Sequence, residues 1–513
     1  MPDIQIESRE TGPQNGVEGT GSGLATRQIF GLVLGPVVFI LMLLSPAPEG
    51  LGEAGWATAA IGSLMAIWWI TEAIPIPATS LLPLVLFPLL GVVSMNEAAS
   101  PYANPLVFLF MGGFMIAIAM QTWNLHRRIA LNIVQFVGVK PTSIIIGFMI
   151  ASAFLSMWVS NTATTLMMLP IGLSIITLAR DNASGDADKL AQRNFGIALI
   201  LSIAYACNIG GLATIIGTPP NAVLAGFMNE TYGVEVGFAQ WMSVGVPLVI
   251  VTLPLAYLVL TKITFPIEIT ELPGGKEIID RELKSLGTVT NPEKKVAVIF
   301  LVTGLMWMFR PLLSNHIDGL TDTGIAIAAA LILFLTPVNF KKGKFILNWN
   351  DVEKLPWGVL ILFGGGLSLA HAIAETGFAE WIGMAVAGLG NWPILMIVLI
   401  AVSLIMFLTE ITSNTATAAA FLPILAAVAI GIGENPLILI VPAALAASCA
   451  FMLPVATPPN AIVYSTGLFT IPQMVKAGLW LNLLFIIVIT AFCYMILGIA
   501  FNVEVGLVPD WVR

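Results

Sequence analysis

The stretch Ser160-Asn161-Thr162-Ala163-Thr164 recurs unchanged as Ser413-Asn414-Thr415-Ala416-Thr417. Each copy is followed by a second repeated element, Thr218-Pro219-Pro220-Asn221 in the first half and Thr457-Pro458-Pro459-Asn460 in the second. Both elements are polar interruptions of strongly apolar sequence. At membrane depth, irregular backbone is tolerated only where protein buries it or where it lines a cavity. The duplicated interruptions therefore predict a transport site between two structural repeats.

The composition predicts a membrane protein. Of the 513 residues, 58% are hydrophobic and only 10% are charged, whereas soluble domains carry about a quarter charged residues. Such a chain is expected to be an all-α polytopic protein of the lipid bilayer, because helices satisfy their own backbone in hydrocarbon. The net charge of −8 offers no basic patch, so we expect no nucleic-acid partner. The three cysteines are isolated in apolar segments and suggest neither disulfides nor a metal cluster.

Hydrophobicity predicts about 11 transmembrane helices and two re-entrant hairpins. The predicted spans are 28–46, 55–72, 78–94, 104–123, 195–228, 238–262, 294–311, 322–340, 356–375, 437–468 and 475–501. Two further apolar stretches, 142–178 and 390–430, are nearly twice as long as a span needs to be. Each contains a Ser-Asn-Thr motif in its middle. We therefore predict that each forms a helical hairpin with the motif at its tip.

The positions of the basic residues support this layout. With a cytoplasmic N-terminus and both hairpins returning to their own side, all but Arg310 and Arg513 of the 21 Lys and Arg residues fall on the cytoplasmic side. That distribution follows the positive-inside rule and predicts an external C-terminus. If either hairpin were counted as a full span, the predicted membrane orientation of every later segment would be reversed. We expect a multi-pass protein of the plasma (inner) membrane.

The two halves are predicted to be inverted repeats, because the first hairpin opens to the cytoplasm and the second to the outside. Further residues match at the spacing of the two motifs, including Phe110 with Phe363 and Pro170 with Pro423. The predicted segments are a disordered cytoplasmic tail (1–26), the first repeat with spans 1–6 and the inner hairpin (27–262), a cytoplasmic linker (263–293), and the second repeat with spans 7–11 and the outer hairpin (294–513).

The paired motifs suit anions and sodium. Ser, Asn and Thr favour helix N-caps, and the unpaired N–H groups of a helix N-terminus attract a carboxylate. The free carbonyls at the end of the preceding half-helix suit a hard cation such as sodium. Two facing tips would hold two anionic groups, which suggests a divalent anion. The proline pairs break their helices, and the small residues Gly217 and Ala456 beside them leave their carbonyls accessible to an ion.

Other polar residues in apolar segments are less specific. Glu410, three residues before Ser413, is expected to support the hairpin tip, and Glu72 is expected to be interfacial or structural. The sequence contains no nucleophile elbow, Walker loop or metal-hydrolase spacing, so an enzyme is disfavoured.

Two longer stretches carry a family resemblance. They are Ala447-Ser448-x-x-Phe451-x-x-Pro454-Val455-Ala456-x-x-x-Asn460-x-Ile462-Val463 and Trp69-Ile70-Thr71-Glu72-Ala73-Ile74-Pro75. Together with the Ser-Asn-Thr motifs, they resemble the divalent anion/sodium symporter (DASS) family of dicarboxylate, citrate and sulfate transporters. The resemblance covers nearly the whole chain after residue 28. It implies a homodimer in which spans 1–4 and 7–9 form a scaffold. The hairpins with spans 5, 6, 10 and 11 would then form a transport domain that moves like an elevator.

The resemblance also implies the residues of the site. Sodium ligands would be Ser156, Ser160, Asn161 and Gly217 in the first repeat, and Thr409, Thr412, Asn414 and Ala456 in the second. Substrate carboxylates would contact Asn161, Thr162, Thr218, Pro219, Ser413, Asn414, Thr415, Thr457 and Pro458. Ser156 aligns with Thr409, which keeps a hydroxyl in both repeats. Val159 stands where Thr412 has its hydroxyl, so that contact is expected to be a backbone carbonyl in one or both repeats.

The expected function is symport of a C4-dicarboxylate such as succinate, malate or fumarate with two or more sodium ions. A dicarboxylate exchanger of the same family remains an alternative, and so does a sodium-coupled sulfate or citrate transporter. A receptor or channel built on the same scaffold is a third class. It would need an appended signalling domain or far faster conduction.

Overall fold

A computed structural model of the chain describes residues 25–138, 140–181, 186–272 and 274–512. Nearly all regular structure there is helical. The helices of the first half are α1 Thr26–Leu44, α2 Glu53–Thr71, α3 Ile76–Thr79, α4 Leu82–Leu89, α5 Met95–Ala99, α6 Pro105–Thr122, α7 Leu125–Val137, α8 Pro141–Ser156, α9 Asn161–Asp181, α10 Asp186–Gly211, α11 Pro219–Tyr232 and α12 Phe238–Leu258. A π-helical turn, Val259–Thr264, continues α12. The predicted tail falls almost wholly outside the described residues.

The second half follows the same order of long and broken helices. Its elements are α13 Gly275–Ser285, α14 Asn291–Leu313, α15 Asp322–Leu335, the strands β1 Pro337–Asn339 and β2 Lys344–Phe345, α16 Trp349–Val352, α17 Trp357–Glu375, α18 Phe378–Val386, α19 Ile394–Leu408, α20 Asn414–Gly431, α21 Leu437–Ala447, α22 Pro458–Tyr464 and α23 Ile471–Ala500. The two short strands pair antiparallel. Short 3-10 turns at Ser100–Ala103, Phe340–Lys342, Ala387–Asn391 and Asp510–Val512 complete the chain.

Many of these helices have the dimensions of membrane spans. Within the described residues, 10 helices are long and apolar enough to cross a membrane. The predicted all-α polytopic architecture is therefore confirmed, and every predicted span contains a helix. The span predicted at 78–94 is shorter than expected, because α3 and α4 together end at Leu89. The chain is thus a multi-pass membrane protein.

Both predicted hairpins consist of two helices separated by a short break. In the first, α8 ends at Ser156 and α9 begins at Asn161. In the second, α19 ends at Leu408 and α20 begins at Asn414. The Ser-Asn-Thr motif lies at the break in both cases, so each motif sits where a new helix starts.

The two spans that contain Thr-Pro-Pro-Asn are interrupted. Helix α10 ends at Gly211 and α11 starts at Pro219, while α21 ends at Ala447 and α22 starts at Pro458. In both, the proline occupies the first helical position, where its missing N–H costs nothing. The preceding threonine is the N-cap residue in extended conformation. The prolines therefore start the second half-helix as well as ending the first.

The repeats interlock around these breaks. The second helix of the first hairpin, α9, packs on α22, and α20 of the second hairpin packs on α11. The second helix of each hairpin thus contacts the broken span of the other repeat, while the first helices, α8 and α19, pack on the broken span of their own repeat. This exchange brings four interrupted backbone segments together inside the protein, which is where the candidate site lies.

Among the described residues, helices α7, α13 and α18 and the short α5 and α16 were not predicted from the sequence. Helices α7, α13 and α18 are too polar or too short to span a membrane. Arg127 of α7 pairs with Glu282 of α13, and Arg128 pairs with Glu293 at the start of α14. The predicted linker therefore contains a helix that is held to the first repeat by ion pairs.

Candidate functional site

The two hairpin tips are built in the same way. Ser160 Oγ accepts a hydrogen bond from the backbone N of Ala163 over 3.2 Å. Ser413 Oγ accepts one from the backbone N of Ala416 over 3.5 Å. Both serines therefore act as N-cap acceptors of the helix that follows. The remaining first-turn N–H groups of α9 and α20 carry the partial positive charge of a helix N-terminus.

A hydroxyl behind each tip orients the asparagine of the motif. Ser156 Oγ donates to Oδ1 of Asn161, and Thr409 Oγ1 donates to Oδ1 of Asn414 over 2.6 Å. Ser156 and Thr409 are both fully buried. The two residues, which the sequence repeat aligns, thus also make equivalent hydrogen bonds to the asparagine of their motif. In both repeats this bond places two side-chain oxygens next to each other.

The asparagine of Thr-Pro-Pro-Asn closes the break in its own helix. Asn221 Nδ2 donates to the carbonyl oxygens of Gly211 (3.1 Å) and Thr214 (2.8 Å). Asn460 Nδ2 donates to those of Ala450 (3.1 Å) and Leu453 (3.0 Å). These bonds tie the start of the second half-helix to backbone carbonyls of the break. The break is consequently a fixed structure in both repeats.

The polar bridges between the repeats include two that involve the threonines of the Thr-Pro-Pro-Asn elements. Thr218 Oγ1 lies 3.2 Å from Ser448 Oγ. Asn208 of α10 donates from Nδ2 to Thr457 Oγ1 over 3.2 Å. Sequence reasoning missed Asn208, because a single asparagine in an apolar helix belongs to no pattern. The only signal was a polar residue shortly before the first helix break.

These segments line one cavity of about 980 Å³. One wall consists of the two tips and the two helix breaks. The opposite wall is apolar and includes Phe110, Phe114 and Ala117 of α6 and Val359 of α17. The cavity is large enough for a small dicarboxylate, since ligand pockets typically measure about 300–1,000 Å³.

Nearly all predicted site residues line this cavity. They are Ser160, Asn161, Thr162, Gly217, Thr218, Pro219, Thr412, Ser413, Asn414, Thr415, Ala456, Thr457 and Pro458. Ser156 and Thr409 do not line it and instead lie behind the tips, in contact with Asn161 and Asn414. Thr412 Oγ1 lies 2.6 Å from Thr417 Oγ1 and also donates to the carbonyl of Leu408. The structure thus gathers the predicted set in one place.

Three charged side chains also line the cavity. Its lining includes Arg27, Glu72 and Lys354. Arg27 pairs with Glu72, and Lys354 pairs with Asp351. Glu72 directly follows α2 as its C-cap residue. Its backbone is left-handed, with φ of 50°, which is uncommon for a non-glycine residue. The expected interfacial or structural role of Glu72 agrees with this ion pair.

Glu410 supports the broken helix of its own repeat rather than the hairpin tip. Its carboxylate is buried and accepts hydrogen bonds from the backbone N of Phe451 (2.7 Å), Met452 (3.0 Å) and Leu453 (3.1 Å). Nδ2 of Asn482 donates to it over 2.7 Å. The first repeat has Met157 at the position of Glu410. The carboxyl group of Glu410 thus supports the second helix break, and the equivalent position of the first repeat carries no such acceptor.

The arrangement offers donors for anions and acceptors for a hard cation. Two helix N-termini with hydroxyl and amide groups suit carboxylate oxygens. The side-chain oxygens at each tip and the backbone carbonyls beside Gly217 and Ala456 are the uncharged oxygen donors that alkali and alkaline-earth cations favour. A methyl or larger side chain does not fit at Gly217 without a shift of the backbone. A Cβ there would lie 2.5 Å from the carbonyl oxygen of Gly211.

The fold is similar to that of two solved transporters. One is the YdaH transporter of Alcanivorax borkumensis, with a TM-score of 0.54 and 14% identity over 93% of this chain and 98% of that one. The other is MtrF of Neisseria gonorrhoeae, with a TM-score of 0.57 and 14% identity over 93% of this chain and 96% of that one. At this identity the likeness concerns the fold alone.

Other transporters are much more similar to this chain in sequence. The sodium-dependent dicarboxylate transporter SdcS of Staphylococcus saprophyticus is 46% identical over 93% of both chains. A protein of the same name from Staphylococcus aureus is 45% identical over 94% of both. These relatives are named as transporters, in agreement with the expectation that the chain is not an enzyme. Residues 26–500 match the sodium:sulfate symporter transmembrane region. The chain therefore belongs to that family, which confirms the predicted membership of the divalent anion/sodium symporters.

Proposed function

We propose that the protein is a sodium-coupled symporter of C4-dicarboxylates such as succinate, malate and fumarate. The observation that carries the proposal is the meeting of both Ser-Asn-Thr helix starts in one cavity. Each N-terminus provides N–H donors and a partial positive charge for one carboxylate. Two of them facing one cavity match a dianion. The names of the staphylococcal relatives support the same substrate class.

Sodium supplies the charge that the tips lack. The described Lys and Arg side chains that line the cavity are Arg27 and Lys354, and each is paired with an acidic residue. A dianion would therefore meet no unpaired cationic side chain there. Sodium bound beside each tip would offset the negative charge of the substrate. This dependence makes the binding of substrate require sodium and so couples the two fluxes.

We assign the ions to the two tips. The first would be held by Ser156, Ser160, Asn161 and Gly217, and the second by Thr409, Thr412, Asn414 and Ala456. Ser156 with Asn161 and Thr409 with Asn414 already form matched oxygen pairs. The substrate carboxylates would contact Asn161, Thr162, Thr218, Pro219, Ser413, Asn414, Thr415, Thr457 and Pro458. All of these line the cavity.

The movement is proposed to be that of an elevator in a homodimer. Helices α9 and α20 pack on the broken spans of the opposite repeat, and α8 and α19 pack on those of their own. Hairpins and broken spans would therefore form one body that carries the whole site. Helices α1 to α6, α14, α15 and α17 would form the scaffold and the dimer contact. The apolar wall that α6 and α17 contribute to the cavity suits a surface along which this body slides.

The orientation follows from the charge pattern. We propose a cytoplasmic N-terminus and an external C-terminus in the plasma (inner) membrane. Arg27, Glu72 and Lys354, which line the cavity, belong to segments assigned to the cytoplasm. The structure would then correspond to a state that is open to the cytoplasm.

A ligand screen tests the proposed substrate and cation together. The thermal stability of the purified protein is measured with succinate, malate, fumarate, citrate and sulfate, each in sodium chloride and in choline chloride. We expect stabilisation by the C4-dicarboxylates in sodium alone. Stabilisation by sulfate or citrate but not by succinate would contradict the substrate. An equal effect of succinate in choline would contradict the coupling.

A dicarboxylate exchanger of the same family is the second candidate, since the same dianion site serves both. Proteoliposomes with and without internal succinate distinguish the two. Uptake that requires internal succinate identifies an exchanger, whereas a symporter fills empty vesicles when sodium is present outside.

A further inference from the structure

We infer that Asn208 is a positioning residue that couples sodium at the first hairpin tip to substrate at the broken helix of the second repeat. Asn208 lies in α10, is only 1% exposed and lines the cavity between the motifs. The inference rests on the proposed function and deepens it, because it concerns how the affinities for sodium and the dianion are linked.

The hydrogen bonds of Asn208 determine which end of its amide faces which repeat. Its Nδ2 lies 3.4 Å from the carbonyl oxygen of Ala450 and 3.2 Å from Thr457 Oγ1. A carbonyl oxygen only accepts, so the NH₂ end of the amide has to face Ala450. Its Oδ1 therefore faces the first repeat, where Asn161 Nδ2 donates to it over 3.5 Å.

This orientation is passed on to Asn161. Because the NH₂ group of Asn161 is turned toward Asn208, its Oδ1 faces the other side and accepts from Ser156. That side is the proposed sodium site of the first repeat. A reversed amide would present hydrogens to a cation and repel it. Asn208 thus keeps an oxygen, rather than an NH₂ group, on the side of the ion.

The other end of Asn208 prepares Thr457 for an anion. Thr457 Oγ1 accepts from Asn208 Nδ2 and from the backbone N of Asn460, the latter over 3.3 Å. A hydroxyl accepts two hydrogen bonds and donates one. With both acceptor positions filled, Thr457 is left as a donor, and it lines the cavity. A carboxylate there would receive that hydrogen bond.

The relay exists in one direction only. When the two Thr-Pro-Pro-Asn elements are aligned with each other, the residue equivalent to Asn208 is Ala447. The methyl group of Ala447 neither donates nor accepts. The first tip is therefore linked to the second broken helix through Asn208. On the other side Ser448 contacts Thr218, but within the described residues no side-chain hydrogen bond joins Asn414 to this pair. We expect sodium at the first tip to be the ion that raises substrate affinity through this path.

The test measures the coupling directly. Succinate is titrated against the purified protein at several sodium concentrations, with choline as replacement, and binding is followed by thermal stability. The coupling factor is the ratio of succinate affinities at saturating and at low sodium. Asn208→Leu keeps the approximate size and removes both hydrogen-bonding ends. We expect it to lower the coupling factor about fivefold, the effect of one neutral hydrogen bond.

The matched control is Ser202→Ala on the same helix. Ser202 is fully buried and its hydroxyl donates to the carbonyl of Leu199 within α10. This variant is expected to keep the wild-type coupling factor. If Asn208→Leu does not give monodisperse protein, Asn208→Ser is measured in the same way, with the same expected loss.

Other outcomes would overturn either the inference about Asn208 or the proposed function. An unchanged coupling factor in the Asn208 variants overturns the inference, even if their thermal stability is lower. An equal loss of succinate affinity at every sodium concentration also overturns it, because that marks a direct substrate ligand. Wild-type protein that shows no effect of sodium on succinate binding contradicts the proposed function instead.

Discussion

The hydroxyl groups of Thr218 and Ser448 lie 3.2 Å apart across the boundary between the two repeats. Thr218 is the N-cap residue of α11, and Ser448 directly follows α21. The contact joins the two helix breaks, and Thr218 lines the cavity. The first broken helix therefore depends on the second for the position of a side chain that faces the proposed substrate.

Removing this contact is expected to weaken substrate binding. Ser448→Ala deletes one hydroxyl and should raise the succinate concentration for half-maximal uptake about fivefold, since a neutral hydrogen bond contributes about 1 kcal/mol. Ser174→Ala is the control, because that exposed hydroxyl bonds only within its own helix, to the carbonyl of Pro170. Equal half-maximal concentrations for both variants would show that Ser448 does not position Thr218.

Glu410 is expected to be important for stability. Glu410→Gln replaces one carboxylate oxygen by an NH₂ group that faces backbone N–H donors of Phe451 to Leu453. The loss of these charge-assisted bonds should cost about 2–4 kcal/mol and lower the thermal midpoint in detergent. Glu504→Gln, at an exposed position near the C-terminus, should have little effect. A Glu410→Gln protein as stable as wild type would contradict the supporting role of this carboxylate.

Gly217 is expected to be essential for the first sodium site. In Gly217→Ala the new Cβ would lie 2.5 Å from the carbonyl oxygen of Gly211, so the backbone at Gly217 has to move. We expect the apparent affinity for sodium, measured from the thermal stabilisation that sodium produces, to fall at least tenfold. Gly62→Ala is the control, because its Cβ would meet only Leu369, at an ordinary 3.4 Å. Unchanged sodium titrations of Gly217→Ala would remove this carbonyl from the site.

The proposed orientation predicts which side of the membrane is labelled. Ser314 follows α14 on the proposed external side, and Lys284 lies in α13 on the proposed cytoplasmic side. Both are exposed, and the native cysteines are buried. In intact cells, a membrane-impermeant maleimide should label Ser314→Cys but label Lys284→Cys only after permeabilisation. The opposite pattern would invert the topology.

The sequence predicted the parts of the molecule that depend on local pattern. Ser160 and Ser413 could be placed at helix starts because N-capping is a local preference. Pro219 and Pro458 could be placed at helix breaks because proline lacks the backbone donor. The repetition of both elements then indicated that they belong to one site.

Contacts between distant segments could not be predicted in this way. Asn208 and Asn482 are single polar residues in apolar helices, and their partners Thr457 and Glu410 lie far away in sequence. Which of them meet depends on how the repeats interlock. Helices α7, α13 and α18 were missed because hydropathy detects spans and not short surface helices.

The most direct test of the central claim is concentrative uptake in proteoliposomes. Purified protein is reconstituted in vesicles without internal succinate, and labelled succinate is added outside with either a sodium or a choline gradient. Asn161→Ala and Asn414→Ala serve as variants that should lose uptake while remaining monodisperse. We predict that wild-type vesicles accumulate succinate above its external concentration only with the inward sodium gradient. Equal uptake in choline would contradict sodium-coupled symport.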